Sequence, residues 1–500
     1  MQRVSLSSAL AKPGGLWTTV ATWVVLASVL VSCLVFARRG LAAANAAAIA
    51  PGVAVTSGFE EESLFTLWRA VHDQPVYLDP ARQPYAAAYF NWLFYRSYAA
   101  LIGPLVGRTS DAIIPAGGRL VTAGFALLGV AALGLLLWRV LAGQAAIATG
   151  LAAFVWFGPL VGWWAHTVRP DVGALALETA ALALLLLLHR SRPLAAVLAS
   201  GLLFYCAWSF KQSYFFGLGT AMLFLLFRRQ WRPAALLGGV NLVLSAATFA
   251  GLGPAYQSAI QGTVVNNTYY LALGFTNLCD MLVKVSPLVL LVGAGLFLQR
   301  SETAADKHPL ATDARLLGKL GLLVALPLGF AASCKLGAVS YYYFTTIVML
   351  SILAASLIAR VSNTRLIVAG FGVATGLQTL VLFGYAGKID LSDQTRELAA
   401  TWAVWQKQPE PRFCSLTNLN LPWLNSNSLP LVISFNYGLD RAAGRPFERD
   451  GLGGLIAAGY FRTLLLPADT GTAYDGGSLQ SYTRGETING LTIFRRQRSP

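Results

Sequence analysis

Gly58-Phe59-Glu60-Glu61-Glu62 sets three adjacent carboxylates just past the apolar run Leu16–Ala37 and just before a long series of further apolar runs. The chain is otherwise poor in acid, with 22 Asp and Glu against 37 Lys and Arg in 500 residues. Neighbouring acids repel one another and lose hydration beside a bilayer, so such a cluster marks a place where a reaction or a cation uses it. Taken alone it also fits the start of a helix, where glutamates meet free N–H groups.

Working outward from this stretch, composition gives the broad class. Apolar residues make up 56% of the chain and charged residues 12%. That balance, over 500 residues, is that of a polytopic integral membrane protein. Arg3 and Lys12 precede Leu16–Ala37, which is too long for the apolar core of a signal peptide and reads as the first transmembrane helix. Further runs near 115–138, 145–165, 172–188, 194–210, 214–227, 234–252, 282–298, 317–334, 341–359 and 366–384 bring the expectation to about eleven spans. The net charge of +15 sits at span ends, not on an aromatic-interleaved face, so a nucleic-acid partner is not expected. Cys33, Cys206, Cys279, Cys334 and Cys414 are scattered without metal-ligand or disulfide spacing.

Basic residues orient the spans. His189-Arg190-Ser191-Arg192, Arg228-Arg229-Gln230-Trp231-Arg232, the 300–319 loop and Arg360 with Arg365 fall on alternate connections, expected to be cytoplasmic. The loop at 40–114, His166 to Asp171, Lys211, 253–281, Lys335 and everything after 385 then lie outside. Arg38 and Arg39 break the pattern, but four later connections agree. Within the first outer loop, Pro84 to Pro104 is rich in aromatics with Arg96 at its middle, the composition of an interfacial helix. Past the last span, 388–500 loses long apolar runs and has strand-like pieces at Leu429–Phe435 and Tyr460–Leu466. A small soluble α/β domain is expected there, with Leu491-Thr492-Ile493-Phe494 as an edge strand. The domains are thus 1–387, in the membrane, and 388–500, extracytoplasmic.

The polar residues expected on the outer side form an ordered set: Glu60, Glu61 and Glu62, then Tyr77 and Asp79, Pro84 and Tyr85, His166, Arg169 and Asp171, Lys211 and Gln212, Lys335, and finally Tyr342, Tyr343 and Phe344. This order resembles the GT-C glycosyltransferases that use polyprenyl-phosphate-linked sugars, the superfamily of protein O-mannosyltransferases and lipid A aminoarabinose transferases. Its members carry an acid soon after the first span, a Tyr-x-Asp element, a Pro-aromatic interfacial helix, an Arg-x-Asp-like element opening the fourth span, a Lys-Gln pair and a late Tyr-Phe pair. Three glutamates stand here in place of the usual Asp-Glu, and Gln83-Pro84 in place of Pro-Pro.

The resemblance implies an all-α GT-C membrane fold and an inverting transfer of a sugar from a polyprenyl phosphate to a lipid, glycan or protein acceptor at the outer face of a bacterial inner membrane. A carboxylate can take the acceptor's proton, and Glu60, with Glu61 close behind, is the expected base. Arg169, Lys211 and Lys335 are the expected cations for the leaving phosphate. Glu62, Tyr77, Asp79, His166, Asp171, Gln212, Tyr342 and Tyr343 are expected to contact sugar or acceptor, or to orient the cations. No cofactor is required, although three clustered carboxylates could bind a divalent metal. The competing reading is a transporter or flippase of a lipid-linked or anionic substrate, for which paired repeats would be expected. The sequence has none.

Overall fold

The computed structural model describes residues 13–49, 60–265, 267–299, 309–360, 365–425, 434–468 and 478–497. Arg3, Lys12, Gly58, Phe59, the loop as far as 308 and the proposed strand as far as 433 lie outside them.

Helix α1, Pro13–Ile49, has 37 residues. At 1.5 Å per residue it is about 55 Å long, well beyond the ~30 Å hydrocarbon core, so Leu16–Ala37 is only its membrane-length part. Arg39 lies on the continuation, buried, with its guanidinium 3.8 Å over the Trp163 ring. One of the two residues that break the charge pattern is therefore held by protein.

After α1 come α2 (Glu60–Val71), α3 (Trp92–Val106), α4 (Ile114–Val140), α5 (Ala145–Phe157), α6 (Pro170–Leu188), α7 (Pro193–Phe210), α8 (Phe216–Phe227), α9 (Trp231–Gly251), α10 (Gly253–Val265), α11 (Leu271–Gln299), α12 (Pro309–Ser333) and α13 (Phe344–Ile358). Helix α14, Arg365–Gln378, passes through a π-helical turn at Thr379–Tyr385 into α15, Ala386–Trp405. Among the described residues nine helices are long and apolar enough to cross a membrane, while α5 and α8 are shorter apolar helices. The bundle is built around α13, whose every residue is buried. It packs against α12, α11, α5, α4 and α6, and Ser351 and Ser356 return their hydroxyls to its own backbone carbonyls, which spares those two groups an unpaired place in an apolar setting.

Successive helices alternate in direction, so their ends gather at two faces of the bundle. At one face Asp313, fully buried, accepts from Arg190 Nε at 2.7 Å, from His189 Nε2 at 3.2 Å and from Arg228. One carboxylate thereby ties the ends of α6, α8 and α12. The acids of α2 and the cations after α5 and α7 stand at the opposite face.

The aromatic helix that follows α2 starts at Trp92, later than its sequence suggests, because Tyr85 adopts a left-handed backbone with φ +57° and turns away from the bundle. Phe94, Tyr95, Tyr98 and Ile102 of α3 are fully buried.

The C-terminal part is a four-stranded sheet, β1 (Arg412–Cys414), β2 (Thr463–Pro467), β3 (Tyr482–Ile488) and β4 (Leu491–Arg496), with the short helices α16 (Ser434–Ala442) and α17 (Gly451–Ala457). The strand order is β1-β2-β4-β3, with β1 and β2 parallel and the other pairs antiparallel. Strand β4 is therefore interior, not the expected edge. The signal was the Asn489-Gly490 pair, whose φ values of +48° and +77° make the tight turn that folds β4 back on β3. The piece read as a strand at 429–435 ends in helix, since Ser434 and Phe435 open α16. All five cysteines are free.

Candidate active site

Each of the three adjacent glutamates meets a different environment, because consecutive helix positions point about 100° apart. Glu60 is fully buried. Its oxygens accept from Arg119 Nε at 3.3 Å and NH2 at 3.1 Å, and from the Val168 amide at 2.6 Å. The strap at Val168 comes this close because α4 has glycine at 118, where a Cβ would stand 2.7 Å from the Val168 side chain. Glu62 is also buried, and it accepts the Tyr95 hydroxyl at 2.5 Å and the Tyr89 amide at 3.2 Å. Glu61 is half-buried, with no side-chain partner among the described residues. Burial, reinforced by the charge of Glu60, lifts its carboxyl to about 7 against the pull of the first-turn N–H groups and Arg169. Burial also lifts Glu62 to about 7. The carboxylates diverge, and among the described residues no three acid, His or Cys side chains converge as metal ligands.

Opposite the acids, Asp171 opens α6 and lies fully buried between two cations. Arg169 Nε reaches it at 3.2 Å, and Lys211, at the end of α7, donates to its other oxygen. Extended backbone at Arg169 and Lys211 ends the regular helix there and lets both side chains turn back on Asp171. Aromatic faces cover the pair: Tyr341 is 5.1 Å from the Arg169 guanidinium and 4.0 Å from Lys211 Nζ, with Phe90 at 5.4 and 5.8 Å. Burial lowers Lys211 to about 8, Asp171 works against this, and Arg169 and Lys335 add to the lowering. Lys335 itself is lowered to about 8 by burial and has no ion-pair partner among the described residues.

Lys211, Ser213, Tyr214, Phe216, Tyr341, Tyr342 and Thr345 line a narrow, partly open recess. Under it, in the α6 helix, Glu178 accepts from Thr345 at 2.5 Å and from the Gly217 amide at 2.7 Å.

The structure thus brings Glu61, Glu62, Arg169, Asp171, Lys211, Lys335 and Tyr342 into one neighbourhood. Gln212 joins its edge by donating to the Tyr89 carbonyl at 2.9 Å. The other predicted contacts are engaged with the protein itself. Tyr77 donates to the Phe90 carbonyl at 3.0 Å and braces a loop. Asp79 pairs with Arg445 of the C-terminal domain at 2.7 Å. Tyr343 is fully buried against Ser333. His166 packs on Phe36 of α1, and burial, with Arg39 and Arg119 adding to it, lowers it to about 4, so it is neutral. Arg119 and Glu178 were missed by sequence reasoning, since each sits inside an apolar run. A charge within a span was the signal that could have found them.

No protein-family model matches the sequence, and no curated protein sequence does. Solved structures do. ArnT from Cupriavidus metallidurans in the apo state is 14% identical, with 94% of this chain and 97% of that one covered and a TM-score of 0.61. The same protein bound to undecaprenyl phosphate is 15% identical over the same shares, with a TM-score of 0.62. The archaeal oligosaccharyltransferase AglB from Archaeoglobus fulgidus, in complex with an inhibitory peptide and a dolichol-phosphate, is 11% identical, with 93% of this chain and 74% of that one covered and a TM-score of 0.51. At these identities the likeness speaks to architecture, and this chain has the GT-C fold of those membrane glycosyltransferases.

Proposed function

We propose that the protein is an inverting glycosyltransferase that moves a sugar from a polyprenyl phosphate to an acceptor hydroxyl, at the outer face of a bacterial inner membrane. The observation that carries this reading is the convergence of a half-buried carboxylate near neutrality, Glu61, with the Arg169–Asp171–Lys211 group at one end of a GT-C bundle. The transmembrane part, 1–387, holds the chemistry, and 388–500 sits over its outer end.

In the proposed step the acceptor oxygen gives its proton to the Glu61 carboxylate and forms a bond to the anomeric carbon. The anomeric carbon–oxygen bond to phosphate breaks, and its electron pair leaves with the polyprenyl phosphate. Lys211 and Arg169 face the charge that develops there, where low dielectric makes a fixed cation worth more than in water. Asp171 keeps both cations charged and aimed, and Lys335 adds positive potential at the rim. We place the base at Glu61 ahead of Glu60, because both oxygens of Glu60 are occupied by Arg119 and the Val168 amide. Tyr342, beside Lys211, offers a ring face to the sugar. The half-buried acid without a fixed partner also favours an enzyme over a transport path.

A strain lacking the gene tests the reading. It should accumulate a lipid-linked sugar and lose one sugar modification of a lipid, glycan or protein, and the wild-type gene should restore both. Glu61→Gln, expressed at equal level, should restore neither. An unchanged lipid-linked sugar pool in the deletion strain would overturn the transferase reading, and full complementation by Glu61→Gln would overturn the base assignment alone.

A further inference from the structure

Residues 79–91 bridge the two parts of the molecule. At the start of this strap, Asp79 accepts from Arg445 at 2.7 Å, and the Ala81 carbonyl accepts the Glu448 amide at 2.8 Å. Tyr85 donates to the Glu448 carbonyl at 2.7 Å. Its ring lies 6.0 Å from those of both Tyr437 and Phe447, so Tyr85 belongs to the hydrophobic core of the C-terminal domain and not to that of the bundle. Four positions later the strap meets the charge cluster. The Tyr89 amide donates to Glu62 and its carbonyl accepts from Gln212, while Phe90 covers Arg169 and Lys211. Asn91 then anchors the strap to α7, donating to the Trp208 carbonyl at 2.5 Å.

The strap is short. Four residues reach at most about 14 Å even when fully extended, so the seat of Tyr85 bounds where Tyr89 and Phe90 can lie. The left-handed backbone of Tyr85 is one that a bulky residue adopts only when its surroundings hold it, and here they are supplied by the C-terminal domain. Phe90 excludes water from two cations whose effect on a leaving phosphate depends on low dielectric, and the Tyr89 amide fixes Glu62 next to Glu61.

We propose that Asp79, Tyr85 and Arg445 are positioning residues, through which the C-terminal domain sets the placement of Tyr89 and Phe90 over the Glu62–Arg169–Lys211 group. The kinetic part of this inference rests on the glycosyl-transfer reading above, but the mechanical part does not.

The test uses the full chain in lipid nanodiscs, as wild type, Arg445→Gln and the milder Tyr85→Phe. Hydrogen–deuterium exchange should quicken over 79–91 and in the first turn of α2 in both variants, with the bundle helices unchanged. With the native donor and acceptor, kcat should fall about tenfold in Arg445→Gln while the donor KM moves less than about twofold, as expected when an aligned geometry loosens without loss of contacts to substrate. Arg445→Lys should stay near wild type, and Asp79→Arg combined with Arg445→Asp should recover part of the loss. Faster exchange confined to 79–85, with 86–91 and the α2 turn as in wild type, would overturn the proposal. So would an unchanged kcat when exchange quickens through 91. A wild-type protein without transfer activity would instead count against the transferase reading, because the exchange result stands without it.

Discussion

Two buried ionic clusters sit at opposite ends of this bundle, and their difference separates a fastening from a site. At one end Asp313 is enclosed by His189, Arg190 and Arg228, all of them at helix ends. At the other end Asp171 holds Arg169 and Lys211, yet Lys211 still borders a recess, Glu61 has no side-chain partner among the described residues, and aromatic faces replace further counter-charges. Burying an ion pair costs desolvation that its attraction barely offsets, so neither cluster is explained by stability alone. The first is closed among helix ends, and the second borders a recess.

The comparison breaks most sharply at Glu61. Glu61→Gln should lower transfer by about a hundred- to ten-thousand-fold, the range for a lost general base, while the melting temperature in nanodiscs stays close to wild type. Lys211→Gln should cost on the order of a hundred- to a thousand-fold in kcat, with Lys211→Arg recovering part, read from initial rates at saturating donor.

Asp313→Asn should behave in the opposite way. It leaves Arg190 and Arg228, both partly open to solvent, without their carboxylate and should destabilise the fold by about 1–3 kcal/mol, with turnover per folded molecule unchanged. Loss of turnover without loss of stability would erase the distinction between the two ends.

The pH profile sharpens the open cluster further. Glu61 must be ionised, so the rate should rise about tenfold per unit as pH climbs toward 7. Lys211 must be protonated, so the rate should fall again above about 8. In Glu61→Gln the limb near 7 should vanish from any residual rate. The smallest effect is expected at Lys335, where Lys335→Gln should weaken binding of undecaprenyl phosphate about fivefold, or roughly 1 kcal/mol, as for a charge partly open to solvent.

The sequence by itself determined the class and which helix ends share a face. Apolar runs of membrane length leave the chain no other solvent, and the alternation of basic connections orders the helix ends, so Glu60 to Glu62, Arg169, Lys211 and Lys335 were legible as residues of one face before any contact was known. Tertiary structure alone decided their surroundings. Three consecutive glutamates look equivalent in one dimension, but a helix turns Glu60 toward Arg119 and Glu62 toward Tyr95, and leaves Glu61 between them half-buried. Arg119 and Glu178 were hidden in apolar runs because composition averages over a span, whereas a buried charge is defined by the partner it meets across the bundle. Asp79 and Tyr85 could not be matched to their partners from sequence, since these lie more than 350 positions away, at Arg445 and Glu448. Periodicity and charge bias are local properties of a chain, but the pairing of groups distant along it is settled only when the helices pack.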